Sequence, residues 1–510
     1  MMRSTLHAAA LLLSAATLSA ATTEAPLADA MEKMDRAAVR ALLQRRTDVN
    51  VPQVDGMTAL HWAAYQNDLE SVELFVRAGA NVKATNRYGF APLTLAITNG
   101  NSPMVDLLLK AGADPNTTLP GGETALMTAA RVGVLASVKA LIARGAIVDA
   151  KDDKHGQTAL MWAAAEGHAP VVELLIELGA DYKARLASGM TPLLFAVREG
   201  RADVVHTLLK AGAEVNEPVP VEGGRRRAIG GRALPPGATP LLVAVMNAHF
   251  ELAAQLLDAG ADPNANLAGY TPLHAIVPVR KPGVGDNDPA PEGSGRMSSL
   301  ELVKKLVAAG ADLNARMPRR ANLTNTRLNE VGATPFLLAA QTADAELMKT
   351  LVALGADPFI PNVSNSTALI VAAGLATRSP GEDAGTEEEV LEAVQVALDL
   401  GIDINAVDMN GETAMHAAAY KNLPKVVKFL ASKGAKIDIW NKPDKFGWTP
   451  LAIAVGYRFG NFKPSPETVA AVEKVLLTAG ITPPTEKEEQ AKGLDIYAPK
   501  PPRTPPRQKQ

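Results

Sequence analysis

A glycine recurs along this 510-residue chain at a nearly fixed interval, and that recurrence narrows the possible folds more than any other feature. Gly79, Gly112, Gly145, Gly179 and Gly212 are spaced by 33, 33, 34 and 33 residues. Gly260, Gly310, Gly355, Gly401, Gly434 and Gly480 continue the series at 48, 50, 45, 46, 33 and 46, the same unit lengthened by insertions. A fixed period of this length means that one supersecondary unit is stacked on copies of itself.

The stretch from Gly156 to Ala184 shows what the unit is. Thr158 can cap a first helix, its hydroxyl accepting from a backbone N–H two or three residues on. Gly167 stops that helix, because glycine tolerates the left-handed conformation of a helix end. Pro170 opens a second helix, where its missing N–H and fixed φ cost nothing. Val171, Leu174, Leu175 and Leu178 form one apolar face, and Gly179 ends the helix. About thirty residues cannot bury such a face alone, so a neighbouring copy must cover it.

A second element keeps the same register. Thr58-Ala59-Leu60-His61, Thr271-Pro272-Leu273-His274 and Thr413-Ala414-Met415-His416 are its fullest copies. Looser ones begin at Ala91, Thr124, Thr158, Thr191, Thr239, Thr334, Thr367 and Thr449. Gly-Ala-Asp-Pro-Asn stands intact at 112–116 and 260–264. The chain resembles the ankyrin repeat family over roughly residues 55–481. That resemblance implies an all-α helix-turn-helix solenoid of about twelve units, with short β-hairpin fingers on one edge, used to bind other proteins.

The ends differ from the middle. Residues 1–21 read as an export signal: Arg3, a short apolar run from Ala8 to Leu18, and Ser19-Ala20-Ala21 as a cleavage site. The expected location is therefore exported, periplasmic or secreted, with no membrane span after removal of the signal. Residues 22–54 read as an N-terminal capping unit with a polar outer face. Residues 482–510 leave the repeat and end in a Pro-rich tail that cannot build a core. The chain has no cysteine, which excludes disulfides and thiolate metal sites. A net charge of −3 gives no reason to expect nucleic acid as a partner.

Insertions begin after Asn216 and fall in two places. Residues 217–237 and 315–331 lie between units, where fingers belong. Residues 278–296, 376–386 and 457–466 lie between the two helices of a unit. They read as loops that emerge on different edges of the stack.

No catalytic constellation is present, so no enzyme activity and no cofactor are expected. His61, His274 and His416 close the repeated element, where imidazole can donate and accept at once and tie the turn to the helix. There is no H-E-x-x-H, no G-x-S-x-G and no phosphate-binding glycine loop. Two basic clusters sit in finger insertions: Arg225, Arg226 and Arg227 with Arg232, and Arg316, Arg319, Arg320 and Arg327. They give an alternative function, docking of an anionic polymer on a cationic edge.

The stronger signal is the position just after the repeated element. It reads Trp62, Leu95, Thr128, Trp162, Phe195, Val243, Ala275, Leu338, Val371, Ala417 and Ile453. In ankyrin-like chains this place faces the concave groove. Trp62, Leu95, Trp162 and Phe195 are therefore candidate partner anchors. Tyr65 and Arg198 follow three places on and share their face, and Met57, Phe90 and Met190 are expected at the rim. The expected function is a non-catalytic scaffold that binds another exported protein in this groove. N-terminal sequencing of exported material should start at or near Thr22; mature protein confined to the cytosol with its first methionines intact would overturn the export reading.

Overall fold

A computed structural model describes residues 25–220, 234–283, 291–324, 326–457 and 464–484. The expected export signal, Arg225–Arg227 with Arg232, residues 284–290 of the 278–296 insertion and nearly all of the Pro-rich tail lie outside those residues. The chain divides into two compact units, residues 1–186 and 187–510.

The described residues hold 25 helices, which follow one another in short pairs. In the first unit the pairs include Ala59–Tyr65 with Leu69–Arg77, Pro92–Thr98 with Ser102–Lys110, and Ala159–Glu166 with Ala169–Glu177. In the second they include Pro192–Arg198 with Ala202–Lys210, Pro335–Gln341 with Ala345–Ala353, and Ala414–Tyr420 with Pro424–Ser432. Within each unit the first helices of consecutive pairs pack side by side.

The local chemistry of each pair follows from the recurring residues. Thr58, Thr124, Thr158, Thr191, Thr239, Thr334, Thr367 and Thr449 each accept a backbone N–H at the start of a first helix. Proline occupies the first turn of many of these helices, as at Pro192, Pro240 and Pro335. Gly167 ends its helix in the left-handed region at φ 92°.

The three motif histidines tie one pair to the next. Thr58 N–H donates to His61 Nδ1 at 3.2 Å, and the Thr58 hydroxyl lies 2.8 Å from the same nitrogen. A backbone N–H can only donate, so Nδ1 is the acceptor and the ring proton sits on Nε2. Nε2 then donates to the Phe90 carbonyl at 3.0 Å, in the following finger. His274 repeats the arrangement with Thr271 and the Ala333 carbonyl, and His416 with Thr413 and the Lys442 carbonyl. All three rings are fully buried.

Asparagine supplies a second stitch. Asn50 Nδ2 donates to the Gly79 carbonyl, and its Oδ1 accepts from Asn81 N–H. Asn116 does the same with Gly145 and Ile147, Asn216 with Gly260 and Asp262, and Asn264 with Gly310 and Asp312.

The fingers are tight turns. Asn86 N–H donates to Phe90 O, and Gly89 N–H to Asn86 O. Successive fingers are joined by single bonds such as Arg87 N–H to Asp55 O, and Val363 N–H to Val331 O. Among the described residues there is no strand, and an isolated antiparallel bridge joins Thr118 and Thr124. The expected β-hairpins are thus reduced to turns, because each finger makes too few bonds to its neighbour to extend a ladder.

The insertions of the second unit differ from the expectation in two ways. They carry core: Met317 and Leu328 in the 315–331 insertion are almost completely buried. Glu330 organises that insertion, accepting from the N–H groups of Ala321, Asn322 and Leu323 at 2.8, 2.6 and 2.6 Å. The two classes of insertion also meet, since Arg327 N–H donates to the Ala376 carbonyl at 2.9 Å. A finger twelve residues longer than the regular one, by the 45-residue interval against 33, can reach the far end of the neighbouring first helix. The 376–386 insertion is pinned in turn by Lys421, whose ammonium donates to the Ala384 carbonyl.

Burial pushes the pKa of His274 and of His416 down to about 4 from 6.5, against the pull of their carbonyl partners. The rings are neutral in the folded chain, while the unfolded chain takes up protons below pH 6.5. Their contribution is therefore complete above pH 6.5 and is lost as pH falls toward 4, by up to roughly 3 kcal/mol per ring. Thermal melts between pH 7.5 and pH 4 should show this loss in the native chain, and a flatter profile in His274→Gln/His416→Gln.

Candidate functional site

The first unit keeps the position after the repeated element partly open at three of its four copies, Thr128 being buried. Trp62, Leu95 and Trp162 are half-buried, while the alanine pairs that follow Trp62 and Trp162 are fully buried. Small residues thus face the neighbouring helix, and the indoles project away from that contact.

Trp62 is held by its surroundings without being covered. Its Nε1 donates to Gln53 Oε1 at 2.7 Å, and Gln53 Nε2 donates to Asp29 Oδ1 and Glu32 Oε2, both at 2.8 Å. Tyr65 meets the indole edge to face, with centroids 5.8 Å apart and planes at 84°, and is itself 51% exposed. Side chains three apart on a helix share a face, which explains the pairing. Phe90 is half-buried, with its carbonyl taken by His61.

Trp162 sits under a cation. The Arg131 guanidinium lies 5.8 Å from the ring centroid, and Glu123 Oε1 holds Arg131 at 3.1 Å. Glu123 also accepts from the Thr128 hydroxyl at 2.9 Å, which removes Thr128 from the surface. The Trp162 indole N–H has no hydrogen-bond partner among the described residues.

The second unit treats the same position differently, and here the expectation for Phe195 is corrected. Phe195 is 2% exposed and belongs to the core, with the Arg198 guanidinium 5.3 Å from its ring centroid. Val243, Leu338, Val371 and Ile453 are buried as well. At Val243 and Ile453 the neighbours include finger residues. Tyr270 reaches Met246 on the Val243 face, with its hydroxyl on Met246 Sδ at 3.6 Å. Trp448 and Tyr420 share one apolar cluster with Ile453. Met57 and Met190, expected at the rim, are also buried.

The basic finger residues are engaged. Arg319 donates to the Leu267 carbonyl at 2.6 Å, Arg320 to the Thr326 carbonyl at 3.1 Å, and Arg316 to the Gly332 and Pro361 carbonyls. Arg319 and Arg316 fasten the insertion to neighbouring fingers, and Arg320 closes the insertion on itself.

A cleft of about 320 Å³ in the second unit was not foreseen. Arg327 and Leu328 of the insertion form one wall, and Leu375 and Thr377 lie at the end of a first helix. Further fingers contribute Asn410, Glu412, Lys445 and Phe446. Asn410 Nδ2 donates to Glu412 Oε2 at 3.0 Å, and Lys445 donates to Asn410 Oδ1. Burial pushes the Glu412 pKa up to about 7; Asn410 opposes that shift, and the charges of Asp408 and Asp444 add to it. Burial likewise raises Asp408 and Asp444. One signal was available in the sequence. The residue before the capping threonine is large and apolar at Met190, Tyr270 and Trp448, whereas it is acidic at Glu412 and also at Glu123, so this signal alone does not single out the cleft.

Among the described residues no group of three or more His, Asp or Glu side chains is placed to hold a metal ion. None of their helices is long and apolar enough to cross a membrane.

Known sequences match this arrangement. A family described as ankyrin repeats in three copies matches residues 27–119, 112–186 and 384–463, and one described as ankyrin repeat matches 188–218 and 237–266. The chain belongs to the ankyrin repeat family. The ankyrin segments are 35% identical over 122 residues to the B-cell lymphoma 3 protein homolog of Mus musculus, covering 23% of this chain and 27% of that one. They are 33% identical over 166 residues to the nuclear factor NF-kappa-B p105 subunit of Gallus gallus, 31% of this chain and 17% of that one. Palmitoyltransferase AKR1 of Lachancea kluyveri is 35% identical over 156 residues, 30% of this chain and 21% of that one. This ankyrin chain thus spans about a quarter or less of the length of these relatives.

The burial pattern predicts a clean split in stability. Phe195→Ala and Leu175→Ala, both in the core, should each cost about 3 kcal/mol or more. Trp62→Ala and Trp162→Ala should cost clearly less, as half-exposed groups do. Circular dichroism melts of the four variants decide it; equal losses would place the tryptophans in the core.

Proposed function

We propose that the chain is a protein-binding ankyrin scaffold whose binding face is the first-helix face of residues 1–186. Ankyrin repeats serve protein interaction, and the observation that carries the assignment is the contrast at one repeat position. In the first unit Trp62, Leu95 and Trp162 stay partly accessible beside Tyr65 and Arg131; in the second unit the same position is closed. Large aromatics next to an arginine, on a face the core does not use, are the side chains that most often dominate interface energy. Phe195 is withdrawn from this set by its burial, and Arg198 with it, since that guanidinium covers the phenyl ring.

The scaffold works by presenting this face and has no catalytic step of its own. Its partner shares its compartment, and the N-terminal segment makes export the proposed route. The alternative through the Arg-rich fingers has weaker support, because Arg316, Arg319 and Arg320 already serve backbone carbonyls.

Capture from the exporting compartment with the mature chain, repeated with Trp62→Ala/Tyr65→Ala and with Trp162→Ala, tests the proposal. The partner should bind the native chain, and each hot-spot aromatic should weaken binding by about 2 kcal/mol or more with the melt little changed. Undiminished capture by variants that melt normally would remove the first unit from the interface.

A further inference from the structure

The cleft in the second unit is built around a separation of charge. Glu412 and Lys445 hold opposite ends of one neutral carboxamide, that of Asn410. Lys445 acts on Glu412 through its charge alone, with no hydrogen bond between them. Each group keeps capacity for another partner. Glu412 uses one carboxylate oxygen on Asn410, and the Lys445 ammonium has three N–H donors, of which Asn410 takes one. The acid stands over a negative background, because Asp408 and Asp444 lie close enough to raise its pKa. Lys445 lies on the next finger, with its ammonium 4.9 Å from the Phe446 ring centroid. Arg327 adds a second cation on the insertion wall.

The remaining lining is mixed: Leu328, Leu375, Phe446 and the ring of Tyr420, whose hydroxyl is turned onto Asp444, are apolar, and Asn329, Ser364, Ser366 and Thr377 are polar. A volume of about 320 Å³ is at the small end of ligand sites and suits a single small molecule better than a folded segment. An acceptor and a donor at the two ends of one amide, with Phe446 and Leu328 on part of the wall beside them, call for a small ligand that carries both signs of charge and some apolar surface.

We propose that this cleft binds a free amino acid or a zwitterion of that size, its ammonium against Glu412 and its carboxylate against Lys445. The body of the ligand packs against Phe446 and Leu328. Leu328 belongs to the 315–331 insertion, so an occupied cleft also holds that insertion in place. The proposal uses residues of the second unit alone and does not depend on the binding face of the first.

Calorimetric titration of the full mature chain with L-leucine and L-phenylalanine tests it. At least one should bind saturably, and Glu412→Gln and Lys445→Met should each weaken that binding about tenfold or more. Isopentylamine and 4-methylpentanoate, each with only one of leucine's two charges, should bind about tenfold or more weakly than leucine does. Glutamine keeps the shape and a hydrogen bond to Asn410, and melts of both variants guard against a folding defect. As a second readout, hydrogen exchange in the 315–331 insertion should slow with ligand. Equal binding by the amine alone would show a simple cation site and overturn the proposal. So would the absence of saturable heat from either amino acid in the millimolar range, or binding unchanged in both variants.

Discussion

A recurring contact that fixes the stacking is an asparagine side chain, present in several of the repeats, bonded to the glycine that ends the next repeat's second helix. Asn50, Asn116, Asn216 and Asn264 each donate to that glycine's carbonyl and accept from the N–H two residues beyond it. A helix end leaves carbonyls without partners, and here one of them becomes the acceptor that fixes the distance to the neighbour. The glycine is required for its backbone, since Gly79, Gly145, Gly260 and Gly310 stand at φ 85–93° while a Cβ there would meet nothing within 4 Å. Conformation, and not crowding, keeps glycine at the period that marks the whole sequence.

The motif histidines make a parallel seam one layer further in. Each is neutral, buried and bonded at both nitrogens, so it works as a fixed spacer between a helix start and the following finger. With the asparagine and histidine seams in place, neither the outer turns nor the fingers need a β-ladder, and among the described residues none is present.

What varies between the two units is what lies over this common frame. In the first unit short turns leave Trp62 and Trp162 at the surface, steadied by Gln53 and Arg131. In the second, Tyr270 reaches the Val243 face and Trp448 packs with Ile453, and the long insertion forms one wall of a small polar cleft. The two units thus differ in what they leave accessible: half-buried aromatics in the first, a small cleft in the second.

The sequence by itself determined the helix pairs, their order, the capping threonines and the task of the histidines. These depend on residues a few places apart, and the fixed period repeats them often enough to be legible. The position of the aromatic row was legible too, and so was the pairing of Trp62 with Tyr65, which helical spacing dictates. The exposure of that row was not. Whether Phe195 or Val371 faces solvent depends on what reaches over it, and the bond from Arg327 to Ala376 joins segments 49 residues apart that no local pattern connects. The cleft has the same origin, since Arg327, Glu412 and Lys445 come from separate fingers. Burial is a property of neighbours in space, and long insertions choose those neighbours only once the chain is folded.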